Sequence, residues 1–72
     1  MIKYTVIIEE GNSSYGAFVP DIPGCIAVGE TKEEALELIK EAIEFHIEGL
    51  REEGAVIPKP HCEFMDVQIN AA

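Results

Sequence analysis

The stretch FVPDIPGCIAVGETKEEAL, residues 18–36, places two prolines, two glycines and a helix start close together. Pro23 and Gly24 suit the two central positions of a type II turn, where the second residue needs a positive φ. We expect Asp21 to fold its carboxylate onto nearby backbone amides as an Asx turn. The stretch has neither the G-x-G-x-x-G nor the P-loop spacing. Its first half is therefore interpreted as a corner between strands, not as a phosphate-binding loop.

The second half of this stretch predicts the start of a long helix. Thr31 and Glu34 have the capping-box spacing, in which the Thr31 hydroxyl accepts from the Glu34 amide and the Glu34 side chain reaches back to the Thr31 amide. The helix should run to about Glu53, with Gly54 as a left-handed C-cap and Pro58 soon after it.

Strands are predicted on both sides of this helix. Alternating apolar residues indicate strands at 2–9, 15–20, 25–29 and 63–69. The element order is β-β-β-α-β in one α+β domain over residues 1–72. We expect a small sheet of three antiparallel strands, with a fourth strand after the helix, covered by that one long helix.

The composition is that of a small acidic globular protein. The 72 residues include 5 Lys and Arg against 14 Asp and Glu, for a net charge of −9. Such a charge disfavours nucleic-acid binding and favours a basic partner, although solubility alone could explain it. No signal peptide is recognisable, and no apolar run approaches the roughly 18 residues that span a bilayer. We expect a soluble cytoplasmic protein.

The predicted helix has three distinct faces. The face expected to lie on the sheet carries Leu36, Ile39, Ile43, Ile47 and Leu50. An acidic stripe on the opposite side carries Glu33, Glu37, Glu41, Glu44 and Glu48. Between them lies a second apolar flank with Leu38, Ala42 and Phe45. The apolar arc is wider than one sheet requires, so this flank either packs under residues 54–62 or forms an interface of a dimer or higher homo-oligomer.

No catalytic, metal or cofactor site is predicted from the residue pattern. Cys25 and Cys62 are expected to be free thiols, and the chain lacks the usual zinc-ligand spacings. Ser13 and Ser14 lie in a polar turn without a nucleophile elbow. His46 falls at the edge of the buried helix face and is interpreted as structural.

The sequence YGAFVPDIPGCIAVGETKEEALELIKEAIEFHIEGLREEGAVIPKP, residues 15–60, resembles the amino-terminal domain of HicB-like antitoxins. The pattern is P-D-x-P-G-C, a Gly before a Thr-capped helix, E-E-A, E-A-I, a Gly after the helix, and I-P. The matching residues are Pro20, Asp21, Pro23, Gly24, Cys25, Gly29, Thr31, Glu34, Ala35, Glu41, Ala42, Gly54, Ile57 and Pro58.

This resemblance implies a degenerate RNase H-like fold and inhibition by binding. HicB-like antitoxins block HicA-type mRNA interferases, which are small basic ribonucleases. RNase H-type nucleases need a carboxylate in the middle of the first strand, where this chain has Tyr4, Thr5 and Val6. Many family members add a carboxy-terminal DNA-binding domain, which is not recognisable here, so operator binding is not expected.

The residue pattern also allows two other functions. The chain could be a solitary homo-oligomeric domain that binds another protein or a small ligand. It could also be a remnant hydrolase that uses Asp21, His46 or the glutamates of the helix.

Overall fold

The computed structural model describes residues 2–71 and has three strands and one helix. The strands are β1 (Ile7–Glu10), β2 (Tyr15–Phe18) and β3 (Ile26–Gly29), followed by the helix α1 (Lys32–Glu53). The sheet order is β1-β2-β3, and both pairings are antiparallel. The predicted α+β architecture of three antiparallel strands and one long helix is therefore present.

The strands are shorter than predicted, and β1 begins at Ile7 instead of residue 2. Ile7 pairs with Phe18 at the end of the ladder. The next residue of the second strand, Val19, donates its amide to the Cys25 carbonyl at 3.3 Å. Alternate residues of a central strand bond to opposite neighbours, so the Val19 amide faces β3 and the next residue that would bond to β1 is Pro20. Pro20, which has no amide hydrogen, closes off the strand further.

The corner between β2 and β3 consists of two consecutive turns. The Ile22 amide donates to the Val19 carbonyl at 3.1 Å, and the Cys25 amide donates to the Ile22 carbonyl at 3.2 Å. Gly24 has a φ of 82°, the conformation that a type II turn requires after Pro23. Residues 19–25 thus form a hydrogen-bonded corner.

Both ends of α1 are capped. The Thr31 hydroxyl accepts from the Glu34 amide at 3.0 Å. The Glu34 carboxylate accepts from the Glu30 amide at 2.9 Å, so the return bond of the predicted capping box is displaced by one residue. Gly54 adopts φ 71° and donates to the Arg51 carbonyl. These bonds satisfy backbone groups that a helix end leaves free.

The helix approaches the sheet most closely where β3 ends. A Cβ atom placed on Gly29 would lie 2.7 Å from the Ala35 amide nitrogen, so only glycine fits there without movement. Ala35 and Ile39 are the fully buried residues of the helix. Leu36, which was predicted to lie on the sheet, is 43% exposed. The contact face is therefore rotated toward the small side chain of Ala35.

The core is small and lies between the helix and one face of the sheet. The buried apolar side chains are Ala17, Val19, Ile22, Cys25, Ala35 and Ile39. Half of these come from the corner and from the strand end that leads into it. The corner therefore supplies core residues as well as a change of direction.

The segment after the helix has no regular secondary structure over residues 55–71. The Tyr4 hydroxyl donates to the Pro58 carbonyl and the Thr5 hydroxyl donates to the Cys62 carbonyl, so the segment is attached beside residues 4–5. The strand predicted at 63–69 does not form in the described chain, because no sheet edge of the same chain pairs with it. No helix within residues 2–71 has the length and apolar character needed to cross a membrane.

Candidate partner-binding surface

The acidic stripe of α1 is a continuous exposed surface. Its five glutamates, Glu33, Glu37, Glu41, Glu44 and Glu48, are all solvent-exposed. At 100° per residue they fall within roughly 80° of the helix circumference, and at 1.5 Å per residue they span about 22 Å along the axis. The helix therefore presents a ridge of negative charge on the side away from the sheet.

This negative charge is not neutralised by neighbouring cations. Among residues 2–71 the only ion pair within 4.0 Å joins His61 to Asp21, so Lys40 and Arg51 form none with the stripe. Residues 31–53 contain eight Glu against three Lys and Arg, a net of −5 out of the total of −9. An unpaired cluster of one sign produces a field that attracts an oppositely charged partner.

The apolar flank beside the stripe is only partly exposed. Phe45 is 80% exposed and Leu38 is 38% exposed. Ala42 packs against the core of its own chain and contributes little to any external contact. The alternative in which this flank packs under residues 54–62 does not hold for Phe45, whose exposure is too high for a packed side chain.

A second exposed apolar surface, which the sequence patterns did not single out as a site, lies in the carboxy-terminal segment. We call residues 63–71 the tail. Its four large apolar side chains are 72–81% exposed and are Phe64, Met65, Val67 and Ile69. The alternation of apolar side chains along residues 63–69 is the sequence pattern that points to this surface, but it was interpreted as a strand of the same sheet. In the single chain these side chains are largely uncovered.

The Asp21 side chain links the corner to the carboxy-terminal segment. It is only 3% exposed, and its Oδ1 accepts from the backbone amides of His61 at 3.2 Å and Cys62 at 3.1 Å. The predicted Asx turn is therefore wrong. The carboxylate bonds to amides 40 and 41 residues away, which no local sequence pattern reveals.

The pKa values of this group oppose nucleophilic catalysis. The neighbouring Cys62 thiol is the main factor that lowers the pKa of Asp21, helped by the amides and the imidazole and opposed by burial. The proximity of the carboxylate, its charge and burial together raise the pKa of Cys62. Burial likewise raises the pKa of Cys25. A reactive thiol requires the opposite shift.

The other catalytic candidates are not brought together in the described chain. His46 is half-buried on the helix, and Ser13 and Ser14 lie in the β1–β2 turn, where the Gly11 amide donates to the Ser14 carbonyl. Tyr4, Thr5 and Val6, predicted to form the middle of the first strand, precede that strand in the structure. The strand begins at Ile7 and contains Glu9 and Glu10, both of which are exposed.

Comparison with known proteins identifies the family. The family of HicB-like antitoxins of bacterial toxin–antitoxin systems matches residues 4–71. The crystal structure of the N-terminal domain of the Burkholderia pseudomallei antitoxin HicB superposes with a TM-score of 0.66 and 36% identity, over 88% of this chain and 69% of that one.

Related sequences occur in archaea and in a bacteriophage. A UPF0150 protein of Thermoplasma acidophilum is 45% identical over 92% of this chain and 97% of its own length. An uncharacterized 14.9 kDa protein of Haemophilus phage HP1 is 48% identical over 78% of this chain. The alignment spans 42% of the phage protein's length.

The fold and the matched residues define a small α+β domain of the antitoxin type. The chain belongs to the HicB-like antitoxin family.

Proposed function

We propose that this protein neutralises a small basic mRNA interferase of the HicA type by covering its RNA-binding face. The observation that carries the proposal is the unpaired acidic stripe of α1 in a chain of this family. An RNA-cleaving protein must present positive charge to bind phosphates. A rigid ridge of carboxylates can occupy such a surface in place of RNA, and it also accelerates encounter.

The stripe and its apolar neighbours would have different roles in this complex. Exposed charges at the rim of an interface mainly set the association rate, whereas desolvated apolar side chains hold the complex once it forms. Phe45, 80% exposed and on the flank beside the stripe, is the apolar anchor that we assign. Leu38 would contribute less, because it is already more than half covered.

We also propose that the chain acts without catalysing a reaction and without binding nucleic acid, in the cytoplasm where such a toxin would cleave mRNA. The raised pKa of Cys62 supports a non-catalytic role. Kinship with the RNase H fold is part of this proposal, with the chemistry lost and the scaffold kept for binding.

The proposal is tested in two steps. A tagged chain is used to capture partners from the native cell, and a small basic protein is expected among them. The captured protein is then assayed for RNA cleavage with and without added antitoxin. Cleavage that stops at about one equivalent of the chain supports the proposal. Cleavage that is unaffected by an excess of the folded chain contradicts it.

A second candidate function is self-association, which the exposed tail favours. Val67 and its apolar neighbours in the tail are uncovered in the single chain, and Ile26 and Val28 on the edge strand β3 are 68% and 64% exposed. An edge strand offers unpaired amides and carbonyls to another strand. We propose that the tail of one copy adds to β3 of a second copy as the fourth strand.

A further inference from the structure

Asp21, His61 and Cys62 form a cluster of potential metal ligands at the corner. One ligand atom from each residue can be chosen so that all three lie within 4.8 Å of one another. Within residues 2–71 this is the one group of three or more His, Cys, Asp or Glu side chains with such geometry. None of the three residues belongs to the acidic stripe on which the proposed toxin contact rests.

The two oxygens of Asp21 have different surroundings. Oδ1 accepts from the amides of His61 and Cys62 and lies 2.8 Å from Nδ1 of His61. Oδ2 is buried and has no hydrogen-bond partner. A buried carboxylate oxygen without a partner is rare and costly, because it has lost its water without gaining a donor. The hydrogen bonds to Oδ1 hold the carboxylate rigidly, so Oδ2 is suited to bind a cation.

We propose that Asp21 Oδ2, a ring nitrogen of His61 and Sγ of Cys62 bind one zinc ion. Oxygen, nitrogen and sulfur ligands together are typical of Zn²⁺, whereas Mg²⁺ and Ca²⁺ select oxygen alone. The fourth tetrahedral position is left to water, since the His61 side chain is 73% exposed on the solvent side of the cluster. On binding, the Cys62 thiol releases its proton to solvent and becomes the thiolate ligand.

The backbone supports this arrangement. The amides that hold Oδ1 belong to the same two residues that supply the other ligands. His61 Nδ1 also lies 3.1 Å from the Lys59 carbonyl. An ion at this position would tie the carboxy-terminal segment to the corner.

Standard zinc patterns miss this site because its ligands are not spaced as in a zinc finger. His61 and Cys62 are adjacent, and Asp21 lies 40 residues earlier. Only the fold brings them together. The expectation of no metal rested on spacing within the sequence, which says nothing about ligands joined by tertiary contacts.

The test is a titration of the folded, metal-free chain with Co²⁺, followed by displacement with Zn²⁺. We expect saturation at about one equivalent, with a near-ultraviolet thiolate-to-cobalt band and the visible bands of a tetrahedral ion. Cys62→Ser should abolish the thiolate band. His61→Gln should weaken binding by about tenfold or more, since even second-shell changes can cost this much.

Matched controls separate this site from general metal binding by an acidic chain. His46→Gln removes the other histidine, and Cys25→Ala removes the other thiol; both should bind Co²⁺ as the wild type does. Circular dichroism checks that each variant is folded. The proposal is overturned if wild type shows no thiolate band, or if Cys62→Ser retains it.

Discussion

Gly29 is the residue on which the helix–sheet contact most depends. Its missing Cβ lets the end of β3 approach the first turn of the helix, where an added carbon would lie 2.7 Å from the backbone of Ala35. Gly29 belongs to β3 and Ala35 to α1, so relieving this contact would require one element to move relative to the other. The role of this glycine is therefore steric, since its φ is not in the left-handed region.

Gly29→Ala should destabilise the fold by about 1–3 kcal/mol, the usual cost of forcing extra volume into a packed contact. Gly16→Ala is the matched control, because a Cβ there meets nothing within 4 Å. Urea denaturation of both variants measures the difference. Equal midpoints for the two variants would show that the close contact is relaxed in solution.

The corner contains a second sensitive residue, Gly24, whose φ of 82° is unfavourable for any side chain. If Asp21 made only a local turn contact, Gly24→Val would destabilise the fold more than Asp21→Ala. The structure gives Asp21 a larger role than a local turn. Asp21→Ala removes the acceptor of two long-range hydrogen bonds and releases residues 61–62, whereas alanine at Gly24 meets no neighbour and costs backbone strain alone.

We therefore expect Asp21→Ala to lower the denaturation midpoint more than Gly24→Ala. Asp21→Asn is the informative third variant, because it keeps an oxygen that can accept from the same amides. An Asp21→Ala midpoint at or above that of Gly24→Ala would contradict the link between the corner and the carboxy-terminal segment.

The Asp21–Cys62 pair gives stability a defined pH dependence. The pKa of Asp21 is lowered on folding, so its contribution is present above the ordinary pKa of about 3.9 and is lost as pH falls through the folded value. The pKa of Cys62 is raised, so its contribution is present below about 8.5 and is lost as pH rises through the folded value. Stability should be greatest between these limits.

Cys62→Ala should reduce the losses at both ends of the pH range, because it removes the thiol and the main cause of the lowered Asp21 pKa. Burial also raises the pKa of Cys25. Part of the loss of stability at alkaline pH should therefore remain in both wild type and Cys62→Ala. Denaturation midpoints from about pH 3 to pH 10 measure this. If the pH dependence of the midpoint is unchanged in Cys62→Ala, the thiol does not influence the pKa of Asp21.

At the scale of elements, local chemistry determines most of what the sequence predicts. The helix ends at Glu53 because Gly54 can adopt the left-handed cap, and it begins after Thr31 because a hydroxyl satisfies the Glu34 amide. These signals act within a few residues, so they are visible in the sequence. The same holds for the turn at Pro23 and Gly24.

The sequence predictions that fail are those that depend on contacts between distant segments of the chain. The start of β1 depends on the donor missing at Pro20 of the facing segment, and the orientation of the helix depends on the contact of Gly29 with Ala35. The partners of Asp21 are likewise set by tertiary structure. The tail has the alternation of a strand, but alternation does not tell which sheet edge, in which copy of the chain, completes it.

The charged face of the helix should contribute little to the stability of the fold. Glu37→Lys, Glu41→Lys and Glu44→Lys together change the net charge by +6, from −9 to −3. Because all three side chains are exposed and unpaired, the triple variant should fold with a denaturation midpoint close to that of wild type. A large loss of helicity would show that these residues have a structural role.

At the scale of the whole molecule, the described chain is extended for its size. Its radius of gyration is 14.3 Å, whereas a compact chain of this length should have about 11 Å. The uncovered tail is part of this surface. We expect a homodimer or higher oligomer in which a second copy covers it.

Sedimentation at micromolar concentration tests this assembly. Val67→Lys should shift wild-type oligomers toward monomers, because a lysine on the tail disfavours strand addition. Phe45→Glu is the comparison and should leave the assembly intact if the tail forms the contact. Dissociation by Phe45→Glu alone would move the interface to the helix flank, and a monomeric wild type would remove it altogether.

The central claim is that the acidic stripe guides this chain onto a basic ribonuclease. The most direct measurement is the association rate with the captured partner, determined by surface plasmon resonance at two salt concentrations. Wild type is compared with the triple variant in which Glu37, Glu41 and Glu44 are changed to Lys. The control has the same net charge and carries Glu9→Lys, Glu53→Lys and Glu63→Lys.

We predict that wild-type association slows as salt shortens the screening length to about 10 Å at 0.1 M. The stripe reversal should slow association by about tenfold or more and lose its salt dependence, while the control changes far less. An association rate that is unaffected by salt and by the stripe reversal, or that falls equally in the control, would contradict the account.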